Sequence, residues 1–482
     1  MTDTPTATDP NDVAPAIDNL ETIVSLSKRR GFVYPSSEIY GGINAVWDYG
    51  PLGVELKNNV KRAWWRAMVQ ERTDIVGLDA GILMHPKVWV TSGHVGSFSD
   101  PLVECATCHR RYRLDELPSA ENLTATDLTD PTVIERFKLV CPNDGGPLSP
   151  PRRFNLMFQT YMGPVQDESS IIYLRPETAQ GSYVNFKNVQ QSSRKKIPFG
   201  IAQVGKSFRN EISPGNFVFR MREFEQMEMQ YFVRPEAEAA AAFEMWLPKR
   251  RAWYEKYGVT SERLRLRESH LRVREHGPEE RSHYSLATSD IEYLYPIGWS
   301  ELEGVANRGD YDLRQHTEAS GTKLEYVDPD GSRYMPFVIE PAVSIDRIML
   351  ALLVDAYDEE VVEERERTLL RFHPAVAPVK AAILPLISKE QAGMVEPARK
   401  LYEELRRHHL VEYDDAGNIG RRYRRQDEIG TPWAFTIDEV TLEDGTVTVR
   451  DRDSLAQERL PLEGVRAWLD DALDRPWSRP PA

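Results

Sequence analysis

Residues 199–232 read Phe199-Gly-Ile-Ala-Gln-Val-Gly205-Lys-Ser-Phe-Arg209-Asn-Glu211-Ile-Ser-Pro-Gly215-Asn-Phe-Val-Phe219-Arg-Met-Arg222-Glu-Phe224-Glu-Gln-Met-Glu228-Met-Gln230-Tyr-Phe232. At the two-residue period of a β-strand the run divides into two strands around Ser213-Pro-Gly-Asn216, a cluster that favours a turn and has no helical alternative. On the first strand Gln203, Gly205, Ser207, Arg209 and Glu211 share one face, and Ala202, Val204 and Phe208 the other. The return strand repeats the division. Arg220, Arg222, Phe224, Gln226, Glu228 and Gln230 fall on one side, and Phe219, Met221, Met227, Met229 and Tyr231 mainly on the opposite one. The expected hairpin buries one side and presents arginines, an aromatic ring and carboxylates on the other.

Such a polar face suits a nucleotide. An arginine fork matches phosphate oxygens, the face of Phe224 offers a stacking surface for a base, and a glutamate accepts the exocyclic amine of adenine. A solvated face of an antiparallel sheet is the competing reading, and the arginine and aromatic content weighs against it. The run also contains Gly200-Ile-Ala-Gln-Val-Gly205-Lys206-Ser207, which matches the P-loop pattern letter for letter. A P-loop needs a Gly-rich turn opening a helix. Here the middle residues alternate as a strand does and Ile212-Ser-Pro-Gly215 follows, so the match reads as accidental.

A chain of 482 residues has room for two to four domains with cores of their own. No apolar run approaches membrane-spanning length, and residues 1–17 lack the basic-then-apolar order of a signal peptide. A soluble, cytoplasmic protein without a membrane partner is expected. The three cysteines, Cys105, Cys108 and Cys141, exclude a disulfide framework. A formal net charge of −15 argues against indiscriminate nucleic-acid binding, and no DNA partner is expected, but a local basic strip could still engage RNA.

Along the chain, residues 1–18 read as a disordered tail because they offer little to bury. Glu21 to Lys28 reads as a helix. Asp48-Tyr-Gly-Pro51 opens another, with Leu52, Leu56, Val60, Ala63 or Trp64, and Ala67 as its apolar stripe. Residues 87–100 read as a Gly/Ser-rich loop. Cys105-Ala-Thr-Cys108, followed by Cys141-Pro-Asn-Asp144, has the spacing of a zinc knuckle with Asp in the fourth place. Asp144 or His109 could close the tetrahedron; an insertion that keeps its turns without metal is the alternative. Glu236 to Tyr257 reads as a helix and Leu264 to Glu268 as a strand. Val338 to Arg347 reads as a strand running into a helix. After a boundary near Phe372-His-Pro-Ala-Val-Ala-Pro378, strands at Lys380–Leu386 and Thr446–Asp451 and a helix at Ala392–His408 predict a small α/β unit. Its strip Arg421-Arg-Tyr-Arg-Arg425 combines four cations with an aromatic, as single-stranded RNA recognition prefers, or else is a solvated surface loop.

Phe208-Arg-Asn-Glu211 with the returning Arg222-Glu-Phe224 resembles motif 2 of the class II aminoacyl-tRNA synthetases. With Arg175-Pro-Glu177-Thr-Ala-Gln180-Gly181 the likeness narrows to the dimeric glycyl-tRNA synthetase family and extends from about Leu20 to the end of the chain. The resemblance implies an α/β protein: a catalytic domain over 19–375 built on an antiparallel sheet flanked by helices, a zinc-ribbon-like insertion at 101–150, and a mixed α/β anticodon-binding domain over 376–482. It implies a homodimer through the helix that begins at Pro51, where packing within the chain is the plainer alternative. Its substrates would be glycine, ATP with Mg2+, and tRNA(Gly).

For the site, the resemblance implies that Arg209 holds the α-phosphate and Arg347 the terminal phosphate, the two residues most directly catalytic. Asn210, Glu211, Phe219, Phe224, Ser344 and Asp346 would complete the nucleotide site, with Arg220 or Arg222 adding to the triphosphate clamp. Glu301, with the Leu302 backbone, would meet the nucleotide and its magnesium. Glycine would lie among Arg113, Glu177, Phe224, Glu225, Gln226, Glu228, Glu340 and Ser344. Arg421, Arg422, Arg424 and Arg425 would bind tRNA. The chain departs from the family pattern at Ala342, Ser344 and Gln230. No Ser-His-Asp set is needed, because a carboxylate and then a ribose hydroxyl are the nucleophiles and catalysis rests on positioning and charge neutralisation. The alternative is a non-acylating relative that keeps the scaffold as an RNA-binding or accessory protein.

Overall fold

In a computed structural model of the chain, the structure describes residues 19–118, 120, 123, 124, 126–259, 271–275 and 286–478. The expected tail at 1–18 and the strand expected at 264–268 lie outside the described residues. The central sheet comprises, in chain order, β1 (Ile75–Gly77), β2 (Phe199–Phe208), β3 (Glu223–Val233), β4 (Leu271–Glu275), β5 (Ala287–Tyr295), β6 (Gly298–Gly309) and β7 (Phe337–Ser344). Across the sheet the order is β4-β5-β6-β7-β3-β2-β1. Every neighbouring pair is antiparallel except β1 with β2.

The expected hairpin is therefore the middle of the sheet, with one correction. β3 starts at Glu223, so residues 209–222 form a long connection closed by a bridge between Gly215 and Arg220. Strand alternation does not apply there. Phe219 and Met221, placed on the core side by that alternation, do pack with the core and also border the cavity described below. The P-loop match lies wholly inside β2. Gly205 has its own reason to be glycine: a Cβ there would come 2.2 Å from Arg175 Nη2. The Arg175 guanidinium crosses the strand at that point and donates to the carbonyls of Lys206 and Ala80, both at 2.7 Å.

Three long helices cover one face of the sheet. Upstream of them α1 (Leu20–Arg30) starts at Asn19, whose side chain accepts from Glu21 N–H, and stops at Gly31 with φ +78°. The covering helices are α2 (Pro51–Trp65), with proline in its first turn, α4 (Ala237–Lys256) and α6 (Ile345–Ala356). Leu56, Val60, Trp64, Trp246, Ile348 and Leu352 pack on Met227, Met229 and Tyr231 of β3, each buried apolar side chain contributing roughly 1.5–3 kcal/mol before the cost of ordering. On the opposite face α3 (Ala179–Val184) and α5 (Tyr311–Ser320) bring Ala179, Tyr183 and Leu313 against Phe199, Ile201 and Phe232. This cover stops partway along the strands. Beyond it the sheet surface is bare and polar.

The segment expected to be a loop at 87–100 instead forms the helical turns Pro86–Thr91 and His94–Ser97. They lead into a three-stranded sheet of Ser99–Glu104, Arg111–Arg113 and Arg152–Asn155, with an apolar cluster that includes Val103, Leu114, Val133 and Leu148. The C-terminal part is a five-stranded sheet with parallel and antiparallel pairs and an apolar core around Ile383, Leu401, Phe435 and Leu469. Helix α7 (Val395–Leu405) packs on it. The arginine strip is not a loop. It lies in α8 (Ile419–Ile429), started by Asn418, whose side chain accepts from Arg421 N–H at 2.9 Å.

Candidate active site

Strand register decides what stands on the bare surface. Gln203 of β2, Glu228 of β3, Ala342 of β7 and Gly304 of β6 are successive cross-strand neighbours. One step toward the open end, Gly205, Gln226 and Ser344 form the next row, and Ser207 lies opposite Phe224 beyond that. Large polar side chains from β3 thus alternate laterally with Gly304, Ala306 and Ala342, which leave a hollow. A cavity of about 440 Å³ opens over these rows. Arg113, Glu177, Arg209, Glu211, Phe219, Arg220, Phe224, Gln226, Glu228, Glu301, Glu340, Ser344 and Arg347 all border it, as the sequence led one to expect.

Its outer part carries the cations. The Arg209 guanidinium lies between the rings of Phe98 and Phe224, 5.4 and 5.3 Å from their centres, and its Nε donates to the Pro176 carbonyl at 3.1 Å. Arg347 lies over Phe219 at 4.6 Å, pairs with the Glu301 carboxylate at 3.1 Å and donates to the Glu301 carbonyl. Burial opposes its charge, but Glu301 more than compensates and its pKa rises. Both guanidinium groups are thus pre-oriented. A Cβ at Gly304 would lie 3.6 Å from Asp290 Oδ1 and 3.8 Å from Glu301 Oε1, so two carboxylates stand beside that glycine. Glu211 is buried, and its Oε2 has no hydrogen-bond partner among the described residues.

The insertion supplies a wall. Arg113 reaches the cavity from its short strand and is fixed by Asp115 at 2.6 Å and Asp100 at 3.1 Å. Burial pushes Asp100 up to about 6, against the pull of Arg113 and with help from Glu211. Arg220 pairs with Glu116 of the same insertion.

The inner end is acidic. Glu228 accepts from the Thr178 hydroxyl and from Gln230 Nε2 at 2.8 Å. Glu340 accepts from Gln230 at 2.7 Å and from Arg308 at 2.9 Å. Arg308 also forks onto Asp312 at 2.9 and 3.1 Å and approaches Glu177 at 3.8 Å. Gln180 joins Glu177 to Asp312, and His94 stands 3.4 Å from Glu177. Burial followed by the neighbouring Glu340 and Glu177 pushes Glu228 well up, and burial raises Glu340 despite Arg308. Glu177 is different: burial would raise it, yet His94 and Arg308 hold it well below the usual carboxylate range. Four buried carboxylates against one guanidinium make this a place for a small cation.

Several expected residues stand elsewhere. Glu225 points to the opposite face, where it pairs with Lys57 at 3.1 Å and Lys61 at 3.3 Å, because odd and even positions of β3 face opposite ways. Asp346 accepts from Tyr49, from Lys57 at 3.2 Å and from Glu225 N–H at 2.9 Å, tying α6 to β3 behind the sheet. Leu302 buries its side chain in the core, which leaves only its backbone for a ligand. Arg222 donates to the carbonyls of Asn44 and Glu211, and the Asn210 N–H to that of Leu156; neither borders the cavity. Conversely Phe98, Asp100, Thr288 and Asp290 border it unannounced, and Arg308 organises its inner end.

In the arginine strip, helical geometry splits the four cations. Arg422 is buried and donates to the carbonyls of Pro385, Asp415 and Gly417, and Arg425 is paired with Asp414 at 2.6 Å. Both serve the fold in place of the RNA contact expected of them. Arg421 and Arg424 are exposed. In the insertion, the ligand atoms of Cys105, Cys108, Cys141 and Asp144 lie within 4.8 Å of one another. Cys108 and Cys141 Sγ are 3.7 Å apart, close to the edge of a tetrahedron with metal–sulfur bonds of about 2.3 Å. The N–H groups of Thr107 and Cys108 point at Cys105 Sγ. Three thiols and a carboxylate in this arrangement fit zinc, with Asp144 as the fourth donor; His109 is turned outward toward Glu104.

Comparison with known proteins agrees with this geometry. Residues 159–356 match the tRNA synthetase class II core domain (G, H, P, S and T), and residues 380–471 match the anticodon binding domain. The chain is 53% identical over 470 residues to a glycine–tRNA ligase of Thermobifida fusca, covering 94% of this chain and 98% of the relative. The chain belongs to the glycine–tRNA ligase family. Members from Alkaliphilus oremlandii and Geobacillus thermodenitrificans are each 52% identical, again over 94% of this chain and 98% and 97% of their own lengths. The matched class II core takes in β2 to β7 of the central sheet, and the matched anticodon binding domain contains α8.

Proposed function

We propose that the chain activates glycine with ATP and transfers it to tRNA(Gly). The observation that carries this reading is the continuity of the buried acidic pocket with the Arg209–Phe224 cleft on one sheet face. An ammonium held by Glu177, Glu228 and Glu340 points its carboxylate outward, toward the phosphate that Arg209 holds. A carboxylate oxygen attacks the α-phosphorus, the bond to the bridging oxygen breaks, and pyrophosphate leaves glycyl-adenylate behind. A terminal ribose hydroxyl of the tRNA then attacks the glycyl carbonyl carbon, forming the ester and releasing AMP and the hydroxyl proton.

The residues divide the work between them. Arg209 and Arg347 neutralise phosphate charge, with Arg220 and Arg113 at the rim. Phe224 stacks on one face of the base, and the Glu211 oxygen accepts its amine. Asp290 and Glu301, beside Gly304, would hold a magnesium ion, which would add charge neutralisation to the triphosphate. Crowding around the ammonium excludes larger side chains and so separates glycine from alanine.

The anticodon-binding unit engages tRNA through the exposed Arg421 and Arg424. Cys105, Cys108, Cys141 and Asp144 would hold zinc, which would pin the turns of the insertion. Two copies pairing through the region of α2 would give a homodimer, and a second copy would also cover the exposed Ile39, Tyr40 and Ile43. Among the described residues no helix is long and apolar enough to cross a membrane, and the cytoplasm supplies all three substrates. Glycine-dependent ATP–pyrophosphate exchange tests the reading. Exchange with glycine and its absence with alanine is the expected result; well-folded protein that lacks exchange would leave only the accessory RNA-binding alternative.

A further inference from the structure

Gln180, in the first turn of α3, is wholly buried, and both ends of its amide are engaged. Its Nε2 donates to Glu177 Oε1 at 3.0 Å and to Asp312 Oδ1 at 2.8 Å, and its Oε1 meets His316 Nε2 at 2.8 Å. Donor counting assigns the protons. Two carboxylates that already face Arg308 can only accept, so the NH2 end must point at them and the carbonyl at the histidine. The imidazole of His316, on α5, therefore carries its proton on Nε2. Burial, against the pull of Asp312, keeps its pKa below the ordinary 6.5, so at neutral pH this is its single N–H. His316 also borders a second cavity, of about 330 Å³, with Val88, Val184 and Leu324, none of which borders the first. A side chain smaller than imidazole would admit water from that cavity as a substitute donor; a ring of similar size without a donor would not.

Resting on the function proposed above, we infer that His316 is a positioning residue for glycine: its Nε2–H locks the Gln180 amide in the orientation that presents a donor to Glu177, and so fixes a carboxylate that receives the substrate's ammonium. His316 acts only through Gln180. Glu177 borders the active-site cavity, whereas Gln180 and His316 do not. Without the imidazole donor the buried Gln180 carbonyl loses its partner, the amide turns to find another, and Glu177 and Asp312 lose the N–H groups they accept. Glu177 would then keep only His94 at 3.4 Å and Arg308 at 3.8 Å, both long for a hydrogen bond. Arg308 already forks onto Asp312 and bonds Glu340, so it is not free to close on Glu177.

The test compares wild type, His316→Phe and His316→Gln in glycine-dependent ATP–pyrophosphate exchange, with thermal melts alongside. His316→Phe fills the place of the ring without a donor and should raise KM for glycine about tenfold, with KM for ATP held within about twofold. His316→Gln returns an N–H and should bring KM for glycine back to within about threefold of wild type. A purely structural role would lower Tm and raise both KM values together, and would leave His316→Gln no better than His316→Phe; either result overturns the inference, as does an unchanged glycine KM in His316→Phe. Nitrogen NMR of wild type carrying isotope-labelled histidine gives a reading that does not depend on both variants folding. The His316 signals, assigned by their loss in whichever variant folds, should show the Nε2–H tautomer and should move with glycine alone but not with ATP alone. The opposite tautomer, or no response to saturating glycine, would overturn the inference. Wild type without any glycine-dependent exchange would overturn the function itself, and the two failures are therefore distinguishable.

Discussion

Arg209 and Phe224 lie on opposite limbs of the hairpin connection with the guanidinium carbon 5.3 Å from the ring centre, and Phe98 closes the other side at 5.4 Å. The cation is thus held against two rings and anchored by one bond to a carbonyl at the border of the cavity. Arg209→Lys keeps the charge but loses the planar fork and the stacking. Both Arg209→Ala and Arg209→Lys should lower the exchange rate by about 10²–10³-fold, the usual effect of removing one preorganised donor from a developing charge. Tm should change little, since the side chain supports no core contact. Exchange kinetics alongside thermal melts check this, and a rate loss accompanied by a large fall in Tm would count against the assignment.

The strip in α8 separates into two pairs. Arg422→Ala strands the carbonyls of Pro385, Asp415 and Gly417 and should cost about 3 kcal/mol of stability, read as a lower urea midpoint. Arg421→Ala with Arg424→Ala should leave that midpoint and glycine-dependent exchange unchanged. The same double variant should weaken tRNA charging several-fold and flatten its salt dependence, as loss of phosphate contacts does. Charging kinetics at two salt concentrations decide it.

Asp100 supplies a pH signature. Its carboxyl titrates at about 6 in the fold against 3.8 ordinarily, chiefly through burial. Between those values the folded chain holds a proton that the unfolded chain has released, so the stabilisation is complete below the lower value and is lost as pH rises through the upper one. Asp100→Asn removes that loss. The Tm advantage of the variant over wild type should grow between about pH 4 and pH 7, and a difference that stays flat over this range would refute the assignment.

At the cysteine cluster, purified protein should carry one zinc per chain by elemental analysis. Asp144→Cys completes an all-thiolate set and should hold zinc against a chelator that strips the wild type, whereas Asp144→Ala should lose it readily. Because Arg113 reaches the cavity from the same insertion, stripping should also raise KM for ATP. Equal metal retention in all three proteins would remove Asp144 from the ligand set.

Much of this site is readable from local pattern, and the exceptions share a cause. The alternation of residues 199–208 and 223–232 gave both the faces and the apolar core, because a two-sided strand must sort its side chains. The same alternation already sets Glu225 apart from Gln226 and Glu228, and the family motif alone brought it into the site. In α8 the signal was present as a cap at Asn418 and inward positions Arg422, Gln426 and Ile429, but the charge of the strip disguised a buried arginine as a surface one. Arg308 follows Gly304 and Ala306 on one face of β6. Its role depends on Asp312, Glu340 and Glu177, partners gathered only by the fold, and no local pattern announces a buried guanidinium whose compensation is distant. Phe98 and Asp100 were hidden because residues 87–100 look like a loop until the insertion folds against them.

Gln230 and Glu340 are separated by 110 positions along the chain, and Glu228 and Glu340 rest on strands that become neighbours only when β7 docks. A ribosome that has not yet delivered β7 has made the nucleotide-binding hairpin but not the receptor for the amino group. Arg347, which opens the helix after β7, comes equally late, so the phosphate end and the acidic end of the cleft are completed together when the sheet closes.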